Sequence, residues 1–152
     1  MRLEVQVSKP PVDIKLEKPH DALQHDASAS LTALRSAVDC VASPPLPLIT
    51  RVVEIVVHGE DIRRPLGIDH AYPTTSIAEA VSYLLGDRSS GGKKRLKGLT
   101  LAATDVEFSI GDGPVVEGPA LALLLAASGR SARLHELSGP GAIQLVNRIR
   151  QA

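Results

Sequence analysis

The stretch GLTLAATDVEFSIGDGPVVEGPALALLLAASGR, residues 98–130, decides the fold class because its hydrophobic period changes within it. Apolar and polar residues alternate up to the GDGP segment, which is typical of strands that bury one face. GDGP predicts a turn before a third short strand, and ALALLLAAS then predicts an apolar helix that ends at Gly129. We therefore expect a small antiparallel meander followed by a helix. Residues predicted to share a sheet face are Leu99 and Leu101 in the first strand and Val106, Phe108 and Ile110 in the second, while the third strand lies around Val115 and Val116.

Helices are predicted in the half of the chain that precedes this stretch. Apolar residues recur at helical spacing from Asp26 to Val41, and a second helix is expected across LITRVVEIVVHGEDIRR. Pro47 suits the first turn of that second helix, while Pro65 and Gly67 favour its end. A third helix is predicted over residues 75–86, with Ser76 as its cap and with Ile77, Ala80, Val81 and Leu84 on one face.

Segments of different composition lie between and outside these elements. Residues 86–95, GDRSSGGKKR, are rich in Gly, Ser, Lys and Arg, which predicts a linker or an exposed loop. Two short strands are possible near the amino terminus, where prolines separate them. The predicted organisation is an N-terminal arm over residues 1–25, a helical metal-binding domain over 26–88 and an α+β domain over 96–152, whose last helix turns Ile143, Val146 and Ile149 inward.

The composition excludes several classes of partner. The 17 basic and 17 acidic residues balance, and the one short basic run is KKRLK at 93–97, so neither nucleic acid nor an anionic membrane is expected as a partner. The single cysteine, Cys40, cannot form an internal disulfide, and neither a signal peptide nor a membrane span is recognisable. We expect a cytoplasmic protein.

Polar residues interrupt the second predicted helix within EIVVHGEDIRRPLG, residues 54–67. Glu54, His58 and Asp61 are spaced i, i+4 and i+7, which places them within roughly 60° of one another on a helix that is otherwise apolar and is expected to be mostly buried. A glutamate and a histidine one turn apart can bind one divalent metal ion, and Asp61 can accept the other ring N–H of His58. A Glu–His ion pair on a solvated stripe explains the same spacing without a metal.

Three segments together resemble the mycothiol-dependent maleylpyruvate isomerase family: VVHGEDIRRPLGI, residues 98–130, and LHELSGPGAIQL. The resemblance implies an α+β protein in which a partial DinB-like helical bundle precedes a small antiparallel sheet with helices, similar to the sterol-carrier type of domain. It also implies a divalent metal ion, typically zinc, held in part by a Glu-x-x-x-His pair that corresponds to Glu54 and His58. The thiol cofactor it implies is mycothiol, which attacks a small electrophilic substrate.

The amino-terminal part departs from the family pattern. Family members begin with two further helices, the second of which carries a histidine that completes the metal site, and this sequence is expected to start after them. His20 or His25 would have to substitute for that histidine. Because zinc sites ordinarily use at least three protein ligands, the resemblance implies an incomplete site. Loss of the two helices would also expose an apolar face of the helix over 46–62, which favours a homo-oligomer or another partner.

Three functions are compatible with these features. The first is a metal- and thiol-dependent isomerase or transferase that acts on a small electrophile, or an inactive form of such an enzyme that has lost the third metal ligand. The second is a non-catalytic binding or dimeric assembly module, and the third is a carrier whose apolar cavity is lined by ALALLLAAS, a segment that an ordinary core helix also explains. In the enzyme hypothesis the metal ligands are Glu54 and His58, the catalytic residues are Asp61 and Arg130, and the cofactor-binding residue is Arg64.

Overall fold

The structure, a computed structural model, describes residues 27–38, 46–87 and 90–151. The predicted N-terminal arm and its two possible strands lie outside these residues. The chain divides into two compact units, Met1–Pro44 and Pro45–Ala152. In the first unit the structure describes one helix, α1 (Ala27–Ser36), which lies within the helix predicted over residues 26–41.

The second unit has five helices and three strands among its described residues, so the predicted α+β class is confirmed. Two single-turn 3-10 helices connect some of these elements. Within the described ranges, none of the helices combines the length and the apolar character needed to cross a membrane. The elements are α2 (Leu48–Arg63), α3 (Thr74–Gly86), α4 (Gly92–Leu96), β1 (Thr100–Ala103), β2 (Ser109–Gly111), β3 (Val115–Gly118), α5 (Ala120–Ala127) and α6 (Ala142–Arg150).

Two prolines and a glycine lie at the limits of α2. Pro47 occupies the N-cap position, one residue before the first turn in which the sequence predicts it. Pro65 lies in the 3-10 turn Arg64–Leu66, and Gly67 ends that turn with a left-handed φ of 66°. Only one side of α2 is buried, so the expectation of a mostly buried helix is wrong. The buried residues are Val53, Val56, Val57 and Glu60, whereas Leu48, Ile55 and Ile62 are exposed.

Helix α3 buries the face that its sequence predicts, but it begins before the predicted cap. Its N-cap residue is Pro73, and Ser76 lies inside the first turn, so the prediction of Ser76 as the cap is wrong. The fixed φ of proline suits the start of a helix and its missing N–H would be unpaired there in any case. The buried residues include Ile77, Ala80, Val81 and Leu84.

Part of the loop predicted over residues 86–95 is helical, which corrects that prediction. Gly91 adopts a left-handed φ of 74° and leads into α4, where Gly92 and Leu96 are buried one turn apart. A side chain at Gly92 would place its Cβ 2.7 Å from the carbonyl oxygen of Leu84. Glycine is therefore required where α4 packs against α3. The basic residues on the solvent side of α4 give the segment the composition of a loop.

The strands form a mixed sheet in the order β2-β1-β3. β1 and β2 pair antiparallel, as predicted, with Leu101 opposite Ile110. β3 pairs parallel to β1, with Leu101 opposite Val116, so the prediction of an all-antiparallel meander is wrong. The second strand is also shorter than the alternation suggests, although Val106 and Phe108 are half-buried as a sheet face would be.

The GDGP segment explains the position of β3, because it crosses the start of β1 and does not close a hairpin. The Thr100 N–H donates to the carbonyl of Pro114 at 3.1 Å, and the Thr100 hydroxyl accepts from the Gly113 N–H at 3.0 Å. A Cβ at Gly113 would overlap the carbonyl oxygen of Gly98. Glycine thus permits the close crossing that carries the chain to the other edge of β1.

Helix α5 forms the centre of the core. Seven of its eight residues are buried, and the helix packs against α3 and β1. Gly129 ends α5 with a φ of 82°, as predicted. The extent of this burial is that of an ordinary core helix.

The last helix, α6, presents a different face to the core from the predicted one. Its buried residues are Ala142, Leu145 and Ile149. Ile143 is 76% exposed, so its predicted inward position is wrong, and Val146 is half-buried. Successive residues of a helix differ in direction by about 100°, so a face chosen one position off turns an isoleucine toward solvent.

Candidate functional site

The predicted polar stripe lies on the exposed side of α2. The Nε2 atom of His58 is 3.0 Å from Oε2 of Glu54, and its Nδ1 atom is 3.4 Å from Oδ2 of Asp61. The His58 side chain is 59% exposed. Helical spacing therefore brings the three predicted residues together, and the stripe reaches solvent and does not line an internal site.

Asp61 also connects α2 to the loop that follows α5. Arg130 donates from Nη2 to Oδ2 of Asp61 at 3.0 Å, from Nε to Oδ1 at 3.5 Å, and from Nη1 to the carbonyl of Ser128 at 3.0 Å. The Arg130 hydrogen bond lowers the pKa of Asp61 against the opposing effect of desolvation, and His58 adds a smaller lowering. Asp61 is consequently an ionised acceptor for His58 near neutral pH.

The Glu54–His58 pair fits two adjacent ligand positions of a zinc ion. Ligand atoms about 2.0 Å from a tetrahedral zinc are about 3.3 Å from one another, which is close to the 3.0 Å between Glu54 Oε2 and His58 Nε2. Asp61 supplies the partner that orients a ligating imidazole. Within residues 27–38, 46–87 and 90–151, no group of three or more His, Cys, Asp or Glu side chains is placed to hold a metal ion. The described residues thus bring a carboxylate, an imidazole and a second carboxylate together on α2.

Glu60, which the sequence analysis did not select, is the one buried charged side chain among the described residues. The Tyr72 hydroxyl donates to Glu60 Oε1 at 2.9 Å and accepts from Arg63 Nη1 at 2.6 Å. Burial, followed by the Glu60 carboxylate, raises the pKa of Tyr72, so its hydroxyl remains a donor. A sequence signal existed, because Glu60 follows Val53 at i+7 on the apolar face of α2.

Two open clefts, each of about 390 Å³, meet at Glu60 and Arg64. Arg64 Nη1 lies 3.7 Å from Glu60 Oε2. This distance is longer than those in the ion pairs of Arg130 and Arg133, the other arginines of these clefts. The structure thus brings the predicted residues Arg64, Arg130 and Asp61 to one cleft. The first cleft is lined by Glu60, Arg64, Gly67, Ile68, Asp69, His70, Ala71, Leu121 and Arg133, and the second by Glu60, Asp61, Arg64, Pro65, Leu125, Arg130 and Ala132.

The third arginine of these clefts, Arg133, is held in a bidentate pair. Its Nε and Nη2 atoms donate to the two carboxylate oxygens of Glu136 at 2.5 Å each. The same hydrogen bonds lower the pKa of Glu136. Because the Nε and Nη2 edge of Arg133 is occupied by Glu136 and Arg64 has only a 3.7 Å contact, Arg64 is better placed to receive an anionic group of a ligand.

Comparison with protein-family models, curated proteins and solved structures found no match to the chain.

Proposed function

We propose that the chain is a divalent-metal-binding protein of the mycothiol-dependent isomerase or transferase type, acting on a small electrophile. The observation that carries the proposal is the position of His58, whose two ring nitrogens face Glu54 on one side and Asp61 on the other. All three residues belong to the EIVVHGEDIRRPLG segment. The resemblance of that segment to the isomerase family implies that Glu54 and His58 bind the metal ion.

Each residue of the stripe has a distinct role in this proposal. Glu54 contributes a carboxylate oxygen and His58 contributes Nε2, a donor set that suits zinc. Asp61 accepts the Nδ1–H of His58 and so fixes the tautomer that leaves Nε2 free for the metal. A bound zinc ion would lower the pKa of the mycothiol thiol and so favour the reactive thiolate. Arg130 keeps Asp61 ionised through the hydrogen bonds between them.

The second cleft supplies the groups that orient an anionic reactant. Arg64 and Arg130 both line it, next to Asp61. The Arg64 guanidinium is 3.7 Å from its acidic partner, and its five N–H donors leave some for a carboxylate of the substrate or a polar group of the thiol. Arg64 follows the end of α2, and Arg130, whose side chain contacts Asp61, lies in the loop after α5, so the proposal assigns recognition of the reactant to the Asp61 end of α2.

Turnover of maleylpyruvate, the electrophile in the name of the family that the chain resembles, tests this function. We expect the wild type to consume it only when zinc and mycothiol are both present. His58→Ala should reduce the rate by at least about ten-fold, and Arg64→Gln should mainly raise KM. Arg150→Gln is the matched control, because Arg150 is an exposed arginine at the end of α6. Turnover that is independent of zinc would contradict the proposal.

A second candidate function, homodimeric assembly, is favoured by a separate observation. Leu48, Ile55 and Ile62 are exposed and recur every seven residues, so they form one apolar stripe along α2. A period of seven is the spacing at which two helices pair side by side. In this candidate function two copies of the chain pair through this apolar stripe of α2.

A further inference from the structure

A third cleft, of about 520 Å³, lies between α4 and the carboxyl end of α6 and has a different charge from the first two. Its cations lack an acidic counterpart among the described lining residues, although the whole chain has a formal net charge of zero. In the other clefts each arginine faces a carboxylate. The lining residues of this basic cleft are Gly91, Lys94, Arg95, Lys97, Arg148 and Gln151.

Arg148 is fixed by backbone carbonyl groups and keeps donors for a ligand. Its Nη1 atom donates to the carbonyl of Arg95 at 2.7 Å and to that of Lys97 at 2.8 Å. These two hydrogen bonds hold α6 against the end of α4. The Nε and Nη2 atoms make no hydrogen bond with any described residue. A guanidinium has five N–H donors, so several remain for an anion in the cleft.

Arg95 is likewise held by carbonyl oxygens and not by an acid. Its Nη1 atom donates to the carbonyl of Ala127 at 2.6 Å, and its Nη2 atom donates to that of Ser90 at 3.0 Å. Gly129 makes room for this side chain, since a Cβ at Gly129 would lie 3.1 Å from Arg95 Nε. Burial, followed by the charge of Arg130, lowers the pKa of Arg95.

The two lysines complete the basic cleft with two further positive charges. Within the part of the chain that the structure describes, neither Lys94 nor Lys97 forms a hydrogen bond or an ion pair through its side chain. Four positive charges therefore surround one concavity, and each repels the others. An anion with two negative charges would relieve this repulsion and occupy the free donors.

We propose that the basic cleft binds a small molecule that bears a phosphate group. A phosphate carries nearly two negative charges and three acceptor oxygens, which match two lysines and the free donors of Arg148 better than a single carboxylate does. The volume of the cleft is in the range of small-ligand sites, and its concave form suits a compact ligand. The basic cleft is separate from the polar stripe of Glu54, His58 and Asp61. The phosphate proposal does not depend on the function proposed for that stripe.

Two adjacent lysines allow a matched test of this proposal. Lys94 lines the basic cleft, whereas Lys93 lines another cleft together with Asp112. Calorimetric titration with inorganic phosphate, pyrophosphate and a hexose 6-phosphate should show saturable binding to the wild type. Lys94→Gln should weaken that binding about five- to ten-fold, the loss of one charge-assisted hydrogen bond, and Lys93→Gln should change it less than about two-fold.

Arg148→Gln provides a second variant, with its urea unfolding midpoint measured to show that the fold is retained. A folded Arg148→Gln protein should lose at least as much affinity for pyrophosphate as Lys94→Gln does. Three outcomes would overturn the proposal: no saturable binding of any of the three phosphates, equal weakening by Lys93→Gln and Lys94→Gln, or binding only to anionic lipid vesicles or single-stranded RNA.

Discussion

Asp61 and Arg130 are 69 residues apart in the sequence, and their side chains meet at 3.0 Å. This ion pair joins the exposed stripe of α2 to the loop after α5. Because Asp61 also lies 3.4 Å from His58 Nδ1, the pair sets the electrostatic environment of the proposed metal ligand. A substitution at Arg130 should therefore affect metal binding although Arg130 is not a ligand.

Asp61→Asn should lower the free energy of unfolding by about 0.5 kcal/mol near neutral pH, a small value because the pair is partly exposed to solvent. The pKa of Asp61 is lowered in the folded protein, so its contribution is fully present above the unfolded value of 3.8 and is lost as the pH falls through the lower folded value. Urea unfolding at about pH 7 and about pH 3 measures this difference between the variant and the wild type. A difference that is the same at both pH values would contradict the prediction.

The control for this experiment is Asp69→Asn. Asp69 makes no hydrogen bond or ion pair with the described residues, although it lines the first cleft. We expect Asp69→Asn to change the free energy of unfolding near neutral pH by clearly less than Asp61→Asn does.

Tyr72→Phe should destabilise the protein by about 1–3 kcal/mol, because it leaves a carboxylate oxygen of buried Glu60 without its donor. Tyr83→Phe is the matched control, since the Tyr83 hydroxyl makes no hydrogen bond with the described residues while its ring packs against the core. That variant should change stability by less than about 0.5 kcal/mol. Equal losses in the two variants, measured by urea unfolding, would show that the Glu60 network does not stabilise the fold.

Gly129→Ala should cost about 1–3 kcal/mol, because the φ of 82° at Gly129 is strained for any residue with a side chain. The added Cβ would also press on Arg95. Gly86→Ala is the control, since nothing lies within 4 Å of a Cβ built there and its φ is not in the left-handed region. We expect Gly86→Ala to be neutral or slightly stabilising in thermal unfolding, and a loss as large as that of Gly129→Ala would be inconsistent with this explanation.

Self-association through the apolar stripe of α2, formed by Leu48, Ile55 and Ile62, can be tested by sedimentation velocity over a range of protein concentrations. Ile55→Lys and Ile62→Lys should each shift the chain toward the monomer, because a charge is buried in the proposed dimer contact. Ile143→Lys introduces the same charge at an exposed isoleucine of α6 and should leave association unchanged. A wild type that is monomeric at every concentration would remove this candidate function.

Local signals predict the parts of the fold that depend on neighbouring residues. Pro47 and Gly67 mark the ends of α2 and its 3-10 turn. Their positions are predictable because proline fixes φ and glycine readily adopts a left-handed φ. The parallel pairing of β3 was not predictable in this way. It depends on the close approach of Gly113 to Gly98, and a glycine in a turn motif does not reveal which strand it will cross.

The contacts of the candidate site are also predictable from the sequence only in part. The distances of His58 to its two acidic neighbours follow from helical spacing, so the sequence could predict them. The ion pair with Arg130 and the hydrogen bond of Glu60 to Tyr72 join residues of different elements, and only the packed structure brings them together. Sequence patterns select Asp61 and Arg130 singly, but they select neither Glu60 nor Tyr72 and do not predict which residues of different elements meet.

Zinc titration by calorimetry, with the wild type, His58→Ala and His135→Ala, tests the proposed metal site most directly. His135 is an exposed histidine outside the stripe, so His135→Ala controls for nonspecific binding. We expect the wild type and His135→Ala to bind one zinc ion per chain with equal affinity, more weakly at about pH 5.5 than at about pH 7.5 because the ligands must be deprotonated. His58→Ala should remain folded and show no saturable binding. Identical titrations of the wild type and His58→Ala would contradict the account.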